Sequence, residues 1–278
     1  MELIGLFEYE FFRNAFSAAF LMSVSCGLVG TYIVARRMVF ISGGITHASF
    51  GGVGISYYFG WAPMGGAAVF ALIAAITTEH LTRKKLIRND SLIAVMWSLG
   101  MAIGIIFIYL TPGYSPNLMS FLFGSIITVT LTDLALMLAL TLVIALVFTI
   151  FYRVILFVSF DEQFARTRGI PVMLVNYMLI ILVALTIVLS IRVAGIILVL
   201  SLLTIPQNTA NLFTSNFGRI LVWSVIIGFI GALIGLVTSY YLNIPSGATI
   251  IFSLVILYLA ARGARALMRS RKTEPVIQ

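Results

Sequence analysis

The sequence predicts an all-α polytopic membrane protein with about nine transmembrane helices, within a range of eight to ten. Three observations predict it. Of the 278 residues, 61% are hydrophobic and 9% are charged, and the mean hydropathy is +1.13. A soluble domain carries roughly 25% charged residues, so the chain has too little charge to coat a soluble surface, and a soluble monomer and a disordered chain are both excluded. Apolar runs of the ~20 residues needed to cross a bilayer recur along the sequence. Between them the basic residues gather in alternate connections, as cytoplasmic loops do. Residues 1–278 read as a single transmembrane domain with a short basic tail at 264–278.

The candidate spans lie at 12–35, 41–60, 63–81, 91–111, 131–152, 172–191, 194–211, 219–242 and 246–263. Several are short or rich in Gly. The stretch 113–130 is apolar but interrupted and reads as a re-entrant or interfacial piece. Arg36 and Arg37 follow the first span, and Arg83, Lys84, Lys85 and Arg88 follow the third. Arg153, Arg166 and Arg168 follow the fifth, Arg219 the seventh, and Arg262, Arg265, Arg269, Arg271 and Lys272 the ninth. With the N-terminus outside and the C-terminus in the cytoplasm, all of these fall on the cytoplasmic side; of the 17 basic residues only Arg13 and Arg192 fall elsewhere. The net charge of +8 is therefore a topology signal and not a nucleic-acid footprint. The N-terminus carries Glu2, Glu8 and Glu10 and no early Lys or Arg. A cleaved signal peptide has a basic n-region, so this end reads as mature chain. One cysteine, Cys26, permits no intrachain disulfide.

Between the fifth and sixth spans lies SFDEQFARTRGIPVM, residues 159–173. Ser159 and Glu162 have capping-box spacing. Asp161 and Glu162 fall in the first turn and Arg166 and Arg168 in the last, as the helix dipole prefers. Gly169 is the expected stop, with Pro171 beyond it. This is a short cytoplasmic helix at about 159–171, either an ordinary loop helix or one that transmits force to a soluble partner.

An ionisable residue inside a membrane is expensive and is a functional hypothesis by default. His47, in SGGITHASFGGVG on the second span, is the first candidate. Imidazole nitrogen suits zinc and other borderline metals; the alternative is a histidine bonding a neighbouring helix carbonyl. Gly43, Gly44, Gly51, Gly52 and Gly54 allow close helix approach. Ser42, Thr46 and Ser49 flank His47, either along a pathway or bonding helices together. Gln207, Asn208 and Asn211 follow Pro206, which kinks its span. Amides at such a break either line a pathway or bond neighbouring helices. Glu79, His80 and Arg83 suggest an interfacial ion pair. Asp133 and Arg192 sit near outer helix ends, as an outer-gate contact or as solvated ends. Cys26 and the 11 Met read as packing. SYYFGWAPMGGA at 56–67 echoes SYYLNIPSGA at 239–248, which suggests an internal duplication.

Five stretches resemble one family in the same order: RRMVFISGGITHASFGGVG at 36–54, NLMSFLFGSI at 117–126, DEQFARTRGIP at 161–171, RVAGIILVLSLLTIPQNTANL at 192–212 and LVTSYYLNIPSGATII at 236–251. The chain is identified as a member of the membrane permease subunits of bacterial ATP-binding-cassette importers for zinc, manganese and related divalent metals. The resemblance implies a homodimer in the bacterial plasma membrane with the pathway on its two-fold axis. It also implies two copies of a separate ATPase on the cytoplasmic face, a metal-loaded binding protein outside, and helix 159–171 as the coupling helix. Asp161, Glu162, Arg166, Arg168 and Gly169 would carry that coupling. His47 would be a metal transit site, with Ser42, Thr46, Gln207 and Asn208 along the pathway. The cargo would be a divalent metal, zinc first, with manganese, iron or a chelated metal also open. No cofactor is expected in this chain, ATP and magnesium belonging to the partner. No Gly is followed by Lys, so no phosphate loop is present. One departure stands out. The family pattern has an Asp four residues before this His, on the same helical face; here that position is Gly43.

Two other classes fit less well. A gradient-driven secondary transporter usually places acidic residues at mid-membrane, and none lies at a span centre here. An intramembrane metalloprotease would show H-E-x-x-H, which is missing from the sequence.

Overall fold

A computed structural model describes residues 3–84, 89–112, 124 and 126–272, and the described residues are all-helical. The helices are α1 (Glu10–Ala35), α2 (Val39–Tyr58), α3 (Pro63–Arg83), α4 (Asn89–Leu110), α5 (Leu131–Ile150), α6 (Tyr152–Phe160), α7 (Glu162–Thr167), α8 (Val172–Leu202), α9 (Ile205–Asn211), α10 (Phe217–Leu242) and α11 (Ser246–Lys272). Short 3-10 turns occupy Leu3–Glu8 and Ile126–Thr128. Among the described residues seven helical stretches are long and apolar enough to cross a membrane, and one of them, Val172–Asn211, has 40 residues. Most of the interrupted stretch 113–130 lies outside the described residues.

The 40-residue stretch crosses twice because it folds back at Gly195. That residue has φ 77° and ψ 166° inside an otherwise helical run, a conformation essentially reserved for glycine. Contacts on either side establish the reversal. Near its start, Tyr177 meets His80 at the end of α3 and Asn176 bonds Glu162 of α7. Near Gly195, Arg192 pairs with Asp133 at the opposite end, beside the start of α5. By Asn211 the chain again shares a cavity wall with Ala35, Phe160 and Phe217. The ascending limb, 172–194, spans roughly 34 Å at about 1.5 Å per residue, enough for a ~30 Å hydrocarbon layer. The descending limb, 196–211, breaks once more at Leu203 and Thr204, ahead of Pro206 in the first turn of α9. With α2, too rich in Gly and Ser to score as strongly apolar, each of the nine segments read from the sequence is helical.

Packing follows the glycines and the hydroxyls. α2 lies against α3 and α4, and α1 against α5, α8 and α10. Gly52 of α2 faces the Gly66 carbonyl of α3, and Gly54 faces Gly104 of α4, so these helices touch backbone to backbone. Buried hydroxyls bond carbonyls one turn back: Ser23 to Ala19 (2.7 Å), Thr31 to Gly27 (2.7 Å) and Thr186 to Leu182 (2.7 Å). Each polar group is thereby satisfied without water. α1 and α2 are well enclosed, with most of their residues buried, whereas only 17% of the apolar window of α11 is buried.

Several expectations are revised. Ser159 does not cap the 159–171 helix: its hydroxyl bonds the Ile155 carbonyl at 2.6 Å within α6. The cap is Asp161, whose Oδ1 accepts from the Phe164 N–H at 2.9 Å. An aspartate already extended at the N-cap outcompetes a serine that still has a helical carbonyl to bond. The described part of the basic tail is helical, since α11 continues to Lys272. Asp133 is not a solvated end: it pairs at 2.8 Å with the exposed Arg192, and its side chain, 6% exposed, caps α5 with Thr130. The echoed outer turns share a local closure: the amides of Trp61 and Ile244 bond the carbonyls of Ser56 and Ser239, around left-handed Gly60 and Asn243.

Gly195→Ala should lower the stability of the detergent-solubilised chain by about 1–3 kcal/mol. Gly228→Ala, whose added carbon meets only ordinary contacts at 3.5 Å and beyond, should leave the thermal midpoint unchanged.

Candidate metal pathway and coupling site

His47 sits at the middle of α2 because the surrounding small residues bring α4 close. Its ring lies flat on Trp97 of α4, with centroids 3.8 Å apart and planes 13° apart. Its Nδ1 is buried and has no hydrogen-bond partner within the chain. A carbon added at Gly43, one turn earlier, would stand 3.5 Å from the Trp97 ring and 3.9 Å from Leu200 of the descending limb. Gly43 therefore leaves the indole its room. A methyl fits there; a carboxylate beyond it meets the ring. Trp97 is 39% exposed, so the pair borders an open face of the chain. Neutral imidazole offers one lone pair to a cation and the indole face offers a cation–π surface. No cluster of three His, Cys, Asp or Glu is assembled among the described residues.

The neighbouring hydroxyls and amides are mostly spoken for. The Ser42 hydroxyl donates to the Val39 carbonyl (2.8 Å), that of Thr46 to Ser42 (2.7 Å) and that of Ser49 to Thr46 (2.6 Å), all within α2. Gln207 is fully buried, and its Nε2 donates to the Cys26 carbonyl of α1 at 2.9 Å and to the Leu202 carbonyl at 3.1 Å. It thus bonds helices, patching the carbonyl freed at the break before α9. Asn208 is exposed and donates to the Thr204 carbonyl at 2.9 Å. Cys26 packs against Ser190, Sγ to Oγ 3.9 Å. The buried acids among the described residues, Glu79 and Asp133, lie at helix ends and are paired with Arg83 and Arg192.

The second site is at the opposite depth, around α7. Gln163, Phe164, Arg166, Thr167 and Arg168 are exposed along it, and Gly169 ends it at φ 73°. The Phe164 ring stands edge-on to Phe157 of α6 at 5.3 Å, holding the helix down while 43% exposed. Phe160, Met173 and Leu174 add exposed apolar surface beside it. Glu162 turns the other way. Its Oε1 meets Nη1 of Arg36 at 2.7 Å and accepts from Nδ2 of Asn176 at 2.9 Å, and Arg166 lies at 4.0 Å. Burial would raise the Glu162 carboxyl, but hydrogen bonds from Asn176 and Arg36 and the charges of Arg36 and Arg83 win and hold it below the usual carboxylate range. Trp97, Arg36 and Asn176 were not foreseen as site residues. Arg36 was visible only as a topology marker, and no sequence spacing links it to residue 162.

A lowered carboxyl stabilises the folded state at pH values above its ordinary pKa, and that contribution is lost as pH falls through the lowered value. Acidification below the usual carboxylate range should therefore loosen α7, read as faster amide hydrogen exchange across Glu162–Thr167 after correction for intrinsic rates. In a chain whose only tryptophan is Trp97, through Trp61→Phe and Trp223→Phe, Gly43→Asp should shift the emission by displacing the indole. It should confer no tighter metal binding unless Trp97→Ala is added.

The sequence matches the ABC 3 transport family over residues 8–264. An uncharacterized membrane protein of Synechocystis sp. is 42% identical over 95% of this chain and 94% of its own length. The manganese transport system membrane protein MntC of Listeria monocytogenes is 32% identical over 99% of each chain. A solved structure, PsaBC from Streptococcus pneumoniae in complex with Fab, superposes with a TM-score of 0.83 at 31% identity, covering 93% of each chain. With its membrane-length helices among the described residues, its capped loop helix and a match running nearly end to end, this chain belongs to the ABC 3 transport family.

Proposed function

We propose that the chain is the permease of an ATP-driven importer for divalent first-row transition metal ions. The observation that carries the proposal is a mid-depth imidazole with an unpartnered ring nitrogen, on a chain matched over 99% of its length by manganese transport system membrane proteins. Manganese and zinc are the leading cargoes, with iron next. The chain carries the passage; ATP is hydrolysed by a separate subunit docked on the exposed side of α7, where Phe164, Arg166 and Arg168 stand with Phe160, Met173 and Leu174 around them. In this reading two copies of the chain and two of the ATPase assemble in a bacterial plasma membrane. An extracytoplasmic metal-binding protein delivers cargo, the N-terminus is outside and the C-terminus is cytoplasmic. Ser42, Thr46 and Asn208, which donate to carbonyls of their own helical turns, and Gln207, which bonds α1, act here as frame around the passage.

The passage chemistry is weak by design. One neutral imidazole per chain cannot build a four-ligand zinc cage. A transit point needs less: binding firm enough to admit the ion and loose enough to release it. Lone imidazole beside an aromatic face meets that requirement. The same aromatic wall, with no carboxylate at position 43, also suits a chelated metal as a second cargo class.

The test is ATP-driven uptake by the reconstituted transporter. His47→Ala should cut metal uptake at least ~tenfold, as loss of a metal-site interaction does, with the ATPase still attached. Unchanged flux would return His47 to a packing role. The exposed contacts predict that Phe164→Ala detaches the ATPase in pull-down, whereas Phe20→Ala, exposed on α1 away from α7, leaves it bound.

A further inference from the structure

We infer that Glu162 is not a docking contact but a strut, and that Arg36 and Asn176 are the positioning residues through which the loop helix moves the rest of the chain. The inference rests on the permease reading above.

The geometry is specific. One carboxylate oxygen of Glu162 receives Arg36 from the end of α1 at 2.7 Å and Asn176 from α8 at 2.9 Å. The same Nη1 of Arg36 donates to the Val158 carbonyl of α6 at 3.0 Å. Four elements, α1, α6, α7 and α8, are thus joined at a single charged group. Glu162 is 29% exposed and Arg36 20%, while Arg166, on the outward face of the same helix, is 64% exposed. A residue turned inward and already bonded on one oxygen is poorly placed to grip a partner. It is well placed to carry displacement, because charge-assisted hydrogen bonds are the strong ones and the Val158 carbonyl holds the same Arg36 nitrogen from a second side.

What lies beyond the strut makes the transmission useful. α1 runs from Arg36 back to Cys26, whose carbonyl accepts from Gln207, and Gly30 abuts Leu203 and Gln207. α1 therefore grips the descending limb 196–211 where that limb is broken. Leu200 of the limb in turn borders Gly43, beside the His47–Trp97 stack. Packed contacts run from the ATPase-facing helix to the passage through Glu162, Arg36, α1, Gln207 and the broken limb. The network also has unused capacity: Asn176 Oδ1 and Arg83 Nη2 are buried with no hydrogen-bond partner within the chain. A rearranged set of bonds is available there when α7 moves. Contiguity alone does not demonstrate coupling, so the test is an exchange of charges.

The complete transporter is reconstituted with its ATPase and binding protein, and manganese imported per ATP hydrolysed is measured. Glu162→Gln and Arg36→Gln should each lower that ratio about fivefold or more, within the range of ordinary coupling energies, with the ATPase still co-purifying. The exchange Arg36→Glu with Glu162→Arg should restore the ratio to within about twofold, a non-additive rescue that only paired residues give. An unchanged ratio in both single variants, an exchange no better than they are, or loss of the ATPase from them would overturn the strut. A second readout does not depend on transport. Hydrogen exchange of residues 203–211 in the permease–ATPase complex should respond to ATP in the wild type and not in Glu162→Gln. No response in the wild type, or an equal one in the variant, overturns the inference even if uptake fails for other reasons. Absence of ATP-driven uptake in the wild type together with a normal exchange response would instead reject the metal-importer reading and leave the strut standing.

Discussion

Inside a bilayer no water completes a broken helix, and an unpaired backbone group costs several kcal/mol. The structure depends on how this chain meets that constraint around residues 195–207. Gly195 reverses the chain in a backbone conformation other residues resist. Gln207 then donates to the carbonyl of Leu202 at the break and, with the same nitrogen, to the carbonyl of Cys26 on α1. One side chain repairs the break and ties it to the well-buried α1. The same limb carries Leu200, which borders Gly43 beside the His47 slot.

The passage and its drive occupy opposite depths, and their chemistry differs accordingly. At mid-depth, charge is nearly absent: His47 is backed by an indole, and the buried acids among the described residues stay at helix ends with arginine partners. Few fixed charges keep the site from holding its cargo. At the α7 end charge is dense, with Arg36, Glu162, Arg166, Glu79 and Arg83 close together. Apart from the exposed Arg166, these groups are partly or wholly buried, and their mutual pairing offsets the cost of burial.

The helices were legible because each is a long apolar run ended by charge or glycine, and the nine segments differ from the observed helices by only a few residues at most boundaries. The extension of α11 to Lys272 was not, since alternating Arg and small residues read equally as tail or as exposed helix. The stop at Gly169 was legible as a local rule. The cap was misassigned between two acceptable residues, Ser159 and Asp161, that only backbone geometry separates. The partners of the site were not legible at all. Trp97 lies 50 residues from His47, and Arg36 lies 126 from Glu162. Such pairings depend on helix register and on the glycine contacts between α2 and α4. The amides after Pro206 illustrate the same limit: sequence marks a break, and only the fold shows that Gln207 Nε2 bonds across it.

The claim at the centre of the account is that this fold passes a bare divalent metal ion by a lone imidazole, driven by a separate ATPase. The most direct measurement is metal-resolved uptake by the reconstituted wild-type transporter, with manganese, zinc and ferrous iron supplied one at a time, with and without ATP. The account predicts ATP-dependent accumulation of at least one bare ion. ATP hydrolysis with no accumulation of any bare ion would contradict it, and would assign the Gly43–His47–Trp97 slot to a different cargo.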